Sequence, residues 1–221
     1  MLTSRAELID RLAARIAAVQ RPHPLRVAID GADAAGKTTL AHELAAPLTA
    51  RGRPVIRASI DSFHRPRADR YRLGAESPEG YFLHSFDHAA IVADLLRPLG
   101  PGGARRYRAA AFDHLTDRPV EAPRLVAAPS AVLLFDGVFL LRPELNSHWD
   151  FRILLTADPE VALARAIERD QVLMGGRAAA ERRYRSRYIP GQELYRRTAR
   201  PMDLADVVID NTDPARPRLL G

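Results

Sequence analysis

The sequence predicts an α/β fold in three layers, α/β/α, built on a mostly parallel five-stranded sheet with helices on both faces. Three observations carry this. Apolar runs at about 25–30, 54–60, 131–135, 152–156 and 206–210 alternate with stretches of helical periodicity, the order that gives crossovers and a parallel sheet. The first run breaks at Gly31 into a loop that carries Gly36-Lys37-Thr38 into a helical pattern. The third, Ala131 to Phe135, ends at Asp136-Gly137, an apolar strand capped by a carboxylate. A chain of 221 residues with 47% hydrophobic content suits one such domain over 1–221. Within it we read an N-terminal helix at 1–22, a hairpin insertion at about 100–128 and an Arg-rich lid at about 171–188.

In chain order, Thr3-Ser4 offers a helix N-cap, and Leu8, Ile9, Leu12, Ile16 and Val19 recur at helical spacing until Arg21-Pro22-His23-Pro24. The loop after the first strand opens a helix from about Lys37 to Ala50, closed by Arg51-Gly52. Pro54 to Ile60 is the second strand, and Asp61-Ser62-Phe63-His64 lies at its C-terminal end, where parallel sheets bind ligands. Arg65 to Gly80 is charged, broken by Pro66, Gly74, Pro78 and Gly80, and reads as a mobile loop. Tyr81 to Asp87 precedes a helix from about His88 to Leu96. His84 and His88 are four apart but lack the Glu of a zinc-protease motif, so no metal is assigned to them.

Arg105 to Phe112 and Pro119 to Val126 pair as a hairpin about the turn residues of His114 to Arg118. Arg152 to Thr156 is a short strand, and Asp158-Pro159 starts a helix with a cap and a proline at its first position. Leu163, Ala166 and Ile167 share one face of that helix, with Arg165 and Arg169 roughly opposite, either solvated or reaching over a ligand. Arg177 to Arg187 suggests an exposed helix joined through Met174-Gly175-Gly176, with Tyr184 and Tyr188 between arginines. Pro190 to Arg197 is a further short helix, and Asp206 to Asp210 a last strand before the turn Asn211-Thr212-Asp213-Pro214.

Gly31-Ala32-Asp33-Ala34-Ala35-Gly36-Lys37-Thr38 matches the phosphate-binding loop G-x-x-x-x-G-K-[ST], placed between strand and helix as that motif requires. Its two glycines allow a tight turn whose N–H groups point at an anion, and the helix dipole adds positive potential there. Lys37 reaches the β- and γ-phosphates in such a loop, and the Thr38 hydroxyl, followed by Thr39, meets Mg²⁺. Lys37 is the only lysine among 33 cationic residues. A compact ammonium suits a narrow loop better than the planar guanidinium used everywhere else in this chain. Asp136 stands where an apolar strand supplies a carboxylate to the metal.

A net charge of +6 and a pI near 10.2 fit a polyanionic partner such as ATP, a phosphorylated product or nucleic acid. The chain has no cysteine, which excludes disulfide and thiolate chemistry. No continuous apolar stretch suits a signal peptide or a membrane span, so a cytoplasmic enzyme without a membrane partner is expected. Tyrosines interleaved with arginines at 182–188 would suit nucleic-acid stacking, but a charged lid over ATP explains them better.

Four blocks, GADAAGKTT, Asp61-Ser62-Phe63-His64, VLLFDGVFLL at 132–141 and DPEVALARAIERD at 158–170, together resemble the uridine kinase/phosphoribulokinase family of phosphate-loop kinases. Gly191-Gln192-Glu193-Leu194-Tyr195 and Ala205 to Ile209 add to the resemblance, which runs from about Leu25 to Asn211. It implies transfer of the γ-phosphate of ATP, with Mg²⁺, to a hydroxyl of a nucleoside or a similar small metabolite. Asp61 matches the catalytic carboxylate and Arg165 and Arg169 match arginines facing phosphates and substrate; Arg177 belongs to the lid, and Asn211 and Thr212 fall where the last loop passes the adenine. The acceptor side would comprise Asp61, Phe63, His64, Tyr81, Phe112, Arg165 and Gln192; the metal side Thr38, Asp61 and Asp136.

The same alignment sets Tyr81 where uridine kinases hold the ribose with an Asp, and Phe112 and Asp117 where they carry a tyrosine and a histidine. Pantothenate, nicotinamide riboside and sugar-phosphate acceptors therefore stay open, as does homo-oligomer formation. A nucleotide-dependent switch or nucleic-acid-associated NTPase is the rival from another class. The lack of an N-K-x-D segment speaks against a GTPase switch.

Overall fold

The computed structural model describes residues 4–220. Thr3, half of the expected N-cap, lies outside them, and Ser4 alone makes the cap: it accepts from the Glu7 N–H at 3.3 Å while its own N–H donates to the Glu7 carboxylate at 2.9 Å. This reciprocal box starts α1 (Arg5–Ala18), which buries Leu8, Ile9, Leu12, Ala13 and Ile16.

The chain continues through β1 (Leu25–Gly31), α2 (Lys37–Ala50) and β2 (Val55–Ser59). A 3₁₀ turn over Ile60–Phe63 follows, then α3 (Arg67–Arg70), α4 (Pro78–His84) and α5 (His88–Ile91), the last widening into a π-turn at Val92–Leu96. The insertion holds β3 (Arg106–Tyr107), β4 (Phe112–Asp113), β5 (Arg118–Pro119) and β6 (Leu125–Val126). After it come β7 (Val132–Gly137), α6 (Pro143–Asn146), β8 (Phe151–Thr156) and α7 (Pro159–Asp170). The chain closes with α8 (Arg177–Arg183), a π-turn at Tyr184–Tyr188, α9 (Ile189–Ala199), α10 (Pro201–Leu204), β9 (Val207–Asp210) and β10 (Arg218–Leu219).

The main sheet has six strands in the order β10-β9-β8-β1-β7-β2, of which five are parallel. The sixth, β10, is antiparallel to β9 and corrects the five-stranded expectation. Only two residues long, it pairs Arg218 with Asp210 and Leu219 with Ile209, too short to leave a periodic signal. Side chains alternate between two cores. Val27, Ile29, Val132, Leu134, Ile153 and Leu155 pack against α1 and α2, while Ala28, Leu133 and Phe135 face Phe63, Leu95, Phe139 and Trp149. Both faces are thus covered, so β1 and β7 read as unbroken apolar runs. The insertion is a nested hairpin, β3 on β6 and β4 on β5, as the sequence predicts. The Ala111 N–H donates to the Ser62 carbonyl at 2.9 Å, fixing it to the turn that carries Asp61.

Two expectations are corrected. Residues 65–80 are not a plain loop: α3 and the start of α4 lie within them, the latter capped by Ser77, which accepts from the Gly80 N–H at 3.0 Å. The stretch 177–187 is not a freely exposed helix, because Ala180, Tyr184 and Arg187 are buried. Arg187 is 2% exposed, and its guanidinium donates to the carbonyls of Arg70 at 3.0 Å and Ser77 at 2.9 Å, with Gly74 and Ala75 behind. Its planar fork spans several acceptors at once, so this one side chain fastens residues 70–77 to the π-turn after α8.

Candidate active site

Gly31, Gly36, the end of β2, Asp136 and Asn211 all lie at the carboxyl ends of the parallel strands, where open α/β sheets bind ligands. Gly36 has φ +97°, and a Cβ there would run into Asn211 Nδ2. The Lys37 ammonium donates to the Ala32 carbonyl at 2.7 Å, across the mouth of the loop. The Thr38 hydroxyl donates to Asp136 Oδ2 at 2.7 Å, so two of the three expected metal ligands already touch, and Arg57 stands 3.5 Å from the same carboxylate. A hydroxyl and a carboxylate are hard oxygen donors that suit Mg²⁺, which takes few protein ligands and completes its shell with water and phosphate oxygens.

Asp61 is exposed on the turn after β2, with its N–H on Ser59 Oγ at 3.3 Å. β2 pairs directly with β7, so the turn carrying Asp61 follows Ser59, whose register partner is Asp136. Phe63 is fully buried against Phe135 and supports that turn from beneath. His64 packs between Phe86 and His114, its Nδ1 2.9 Å from the Asp61 carbonyl. Burial lowers it to about 4, so His64 is a neutral imidazole at pH 7. Phe112 is buried at the start of β4.

Tyr81 and Gln192 meet at the phosphate loop. The Tyr81 hydroxyl donates to Asp33 Oδ2 at 3.2 Å and the Gln192 amide to the same oxygen at 2.7 Å. Burial pushes the Asp33 carboxyl up, while Lys37 and Arg169 act to hold it down. Tyr81 also lies edge-on to Phe139 and Tyr188. It is a packed residue of the site's wall, not an open ribose-binding position.

The arginines divide. Arg165 donates to the carbonyls of Asn211 at 3.2 Å and Thr212 at 2.6 Å, holding the loop after β9. Arg169 bonds Asp170 at 2.7 Å and the Tyr184 hydroxyl at 3.2 Å. Arg177 is exposed at the start of α8, 4.0 Å from Glu168. Asn211 and Thr212 are spent internally: Asn211 Nδ2 donates to the Ala35 carbonyl at 2.7 Å and its Oδ1 accepts from Arg5 at 3.1 Å. The Thr212 hydroxyl bonds Asp210 at 2.6 Å and accepts from the Asp158 N–H at 2.9 Å. Asn211→Ala leaves the Ala35 carbonyl unpaired. We expect a loss of about 1–3 kcal/mol in urea unfolding, with weaker nucleotide binding in an ATP titration.

A family model described as cytidylate kinase-like matches residues 26–213 of this chain. The chain belongs to the cytidylate kinase-like family. It is 29% identical over 223 residues to a pantothenate kinase of Rhodopseudomonas palustris (strain HaA2), covering 90% of this chain and 67% of that protein. It is 28% identical over 154 residues to uridine-cytidine kinase B of Dictyostelium discoideum, covering 67% of this chain and 59% of that one. A solved Bacillus stearothermophilus structure, described as a possible uridine kinase, superposes with a TM-score of 0.71 at 26% identity, over 90% of this chain and 96% of that one. The resemblance to uridine kinases is thereby upheld, and the fold is that of a phosphate-loop kinase.

In this cytidylate kinase-like chain, sequence reasoning treated Asp33 as backbone of the cradle and missed its side-chain contacts. A carboxylate inside an anion-binding loop was the available signal. Tyr195 was missed too: its hydroxyl donates to buried Asp30 and accepts from the Leu141 N–H at 3.0 Å. Asp30 also receives the Gly31 N–H at 2.9 Å, so this buried pair sets where the loop departs from β1.

Proposed function

We propose that this chain is an ATP-dependent kinase that transfers the γ-phosphate to a hydroxyl of a nucleoside of uridine or cytidine type, or of a similar small metabolite. The observation that carries this is the contact between Thr38 and Asp136 at the loop mouth, with Asp61 on the adjoining strand end. Lys37 and the loop N–H groups hold the β- and γ-phosphates, and the loop at Asn211-Thr212 passes the adenine. Thr38, Asp136 and Asp61 would hold Mg²⁺, which when bound offsets phosphate charge. Asp61 takes the proton of the acceptor hydroxyl as its oxygen bonds to phosphorus and the bond to the β-phosphate oxygen breaks, releasing ADP. Arg169 faces the phosphates from α7, and Arg177 closes over them from the lid.

A second reading, pantothenate as acceptor, is favoured by the pantothenate kinase match along 90% of this chain and by Tyr81, which offers no carboxylate to ribose hydroxyls. No helix among the described residues is long and apolar enough to cross a membrane. A cytoplasmic setting suits a cysteine-free, ATP-consuming chain. The test is a panel of uridine, cytidine, pantothenate, nicotinamide riboside and sugar phosphates with ATP, followed by ADP release. Uridine or cytidine turnover supports the first reading, and pantothenate turnover replaces it with the second. ATP hydrolysis indifferent to every acceptor, or tight salt-sensitive nucleic-acid binding, overturns the small-molecule kinase.

A further inference from the structure

The phosphate loop contains its own anion. Asp33 follows Ala32, whose carbonyl holds Lys37, and precedes Ala34 at φ +56°. A carboxylate directed at the phosphates would repel them. Instead the side chain meets Tyr81 on α4 and Gln192 on α9, both buried and both donating to Oδ2. Among the described residues, Oδ1 receives no hydrogen bond. Two donors on one oxygen fix the carboxylate's rotation and leave its other oxygen without a protein donor among the described residues. Desolvation raises this carboxyl, Lys37 and Arg169 act to lower it, and the charge of Asp61 acts to raise it. Asp33 is half-buried, and a carboxylate oxygen without a protein donor is free to accept from a ligand hydroxyl in place of water.

We propose that Asp33 determines acceptor specificity, its open Oδ1 receiving a second hydroxyl of the acceptor, distinct from the one that Asp61 deprotonates. The inference rests on the kinase reading above. The ligand class is a small molecule with at least two hydroxyls. An acceptor that brings an anionic group to this position meets like charge and is disfavoured.

The discriminating variant is Asp33→Asn, whose amide oxygen still accepts from Tyr81 and Gln192 while the anion is lost. Wild type and variant are assayed with ATP against uridine, 2′-deoxyuridine, 3′-deoxyuridine, pantothenate and pantothenate lacking its secondary hydroxyl. We expect wild type to lose about tenfold or more in kcat/KM on one deoxy analogue of whichever parent it phosphorylates, the scale of a hydrogen bond to a charged group. Asp33→Asn should raise KM for that parent by a similar factor, keep KM for ATP within about threefold, and no longer distinguish parent from analogue. Asp33→Ser, which keeps a smaller acceptor, gives the same comparison if the Asn variant does not fold. Unchanged parent KM, discrimination that persists in the variant, or an equal loss for ATP and acceptor each overturns the role. A wild type that phosphorylates none of these acceptors fails at the kinase reading instead and removes the basis of the proposal.

Discussion

Lys37→Ala is expected to lower kcat for phosphoryl transfer by about 10²–10³-fold and to weaken ATP, because it deletes the charged donor preorganised at the loop mouth. The ammonium sits 2.7 Å from the Ala32 carbonyl, folded back onto its own loop. A guanidinium is wider and must satisfy a planar fork, and Lys37→Arg should also be impaired despite keeping the charge. This second variant tests the reasoning from composition. A chain that uses arginine at every other cationic position keeps lysine here for shape. Steady-state ADP release and an ATP titration read both variants. A fully active Arg variant would undo the shape argument.

Asp61→Asn is expected to leave the ATP dissociation constant within about twofold and to reduce turnover by about 10²–10⁴-fold, the range of general-base catalysis. The side chain is exposed and its turn is held by other groups, Ser59 Oγ and the buried Phe63, so the fold should not register the change. Equal thermal unfolding midpoints for variant and wild type separate a chemical loss from a structural one. Retained turnover would remove Asp61 from the mechanism.

Where a candidate residue is set by short-range spacing, its position in the fold was readable. The phosphate loop is contiguous, Asp136 ends an apolar run, and Asp61 follows a strand, so local pattern located all three. Partnerships across the chain were not readable. Gln192 reaches Asp33 over 159 positions and Asn211 reaches Ala35 over 176, and periodicity does not say which polar side chain crosses such a distance. The arginines show the same limit: the spacing of Arg165 and Arg169 sets them on one helix, but which carbonyl or carboxylate each meets depends on the packing of β9 and α8. The start of α4 was marked by Ser77-Pro78, a cap followed by proline, and was obscured by the glycines around it.

Arg187 bonds the Ser77 carbonyl over 110 positions and the Arg70 carbonyl over 117. During synthesis, residues 70–77 therefore leave the ribosome more than a hundred residues before the guanidinium that holds them. The phosphate loop waits longer still, for Asn211. Both segments are finished by residues made late, so a nascent chain carries the phosphate-loop motif well before it carries the finished arrangement around it.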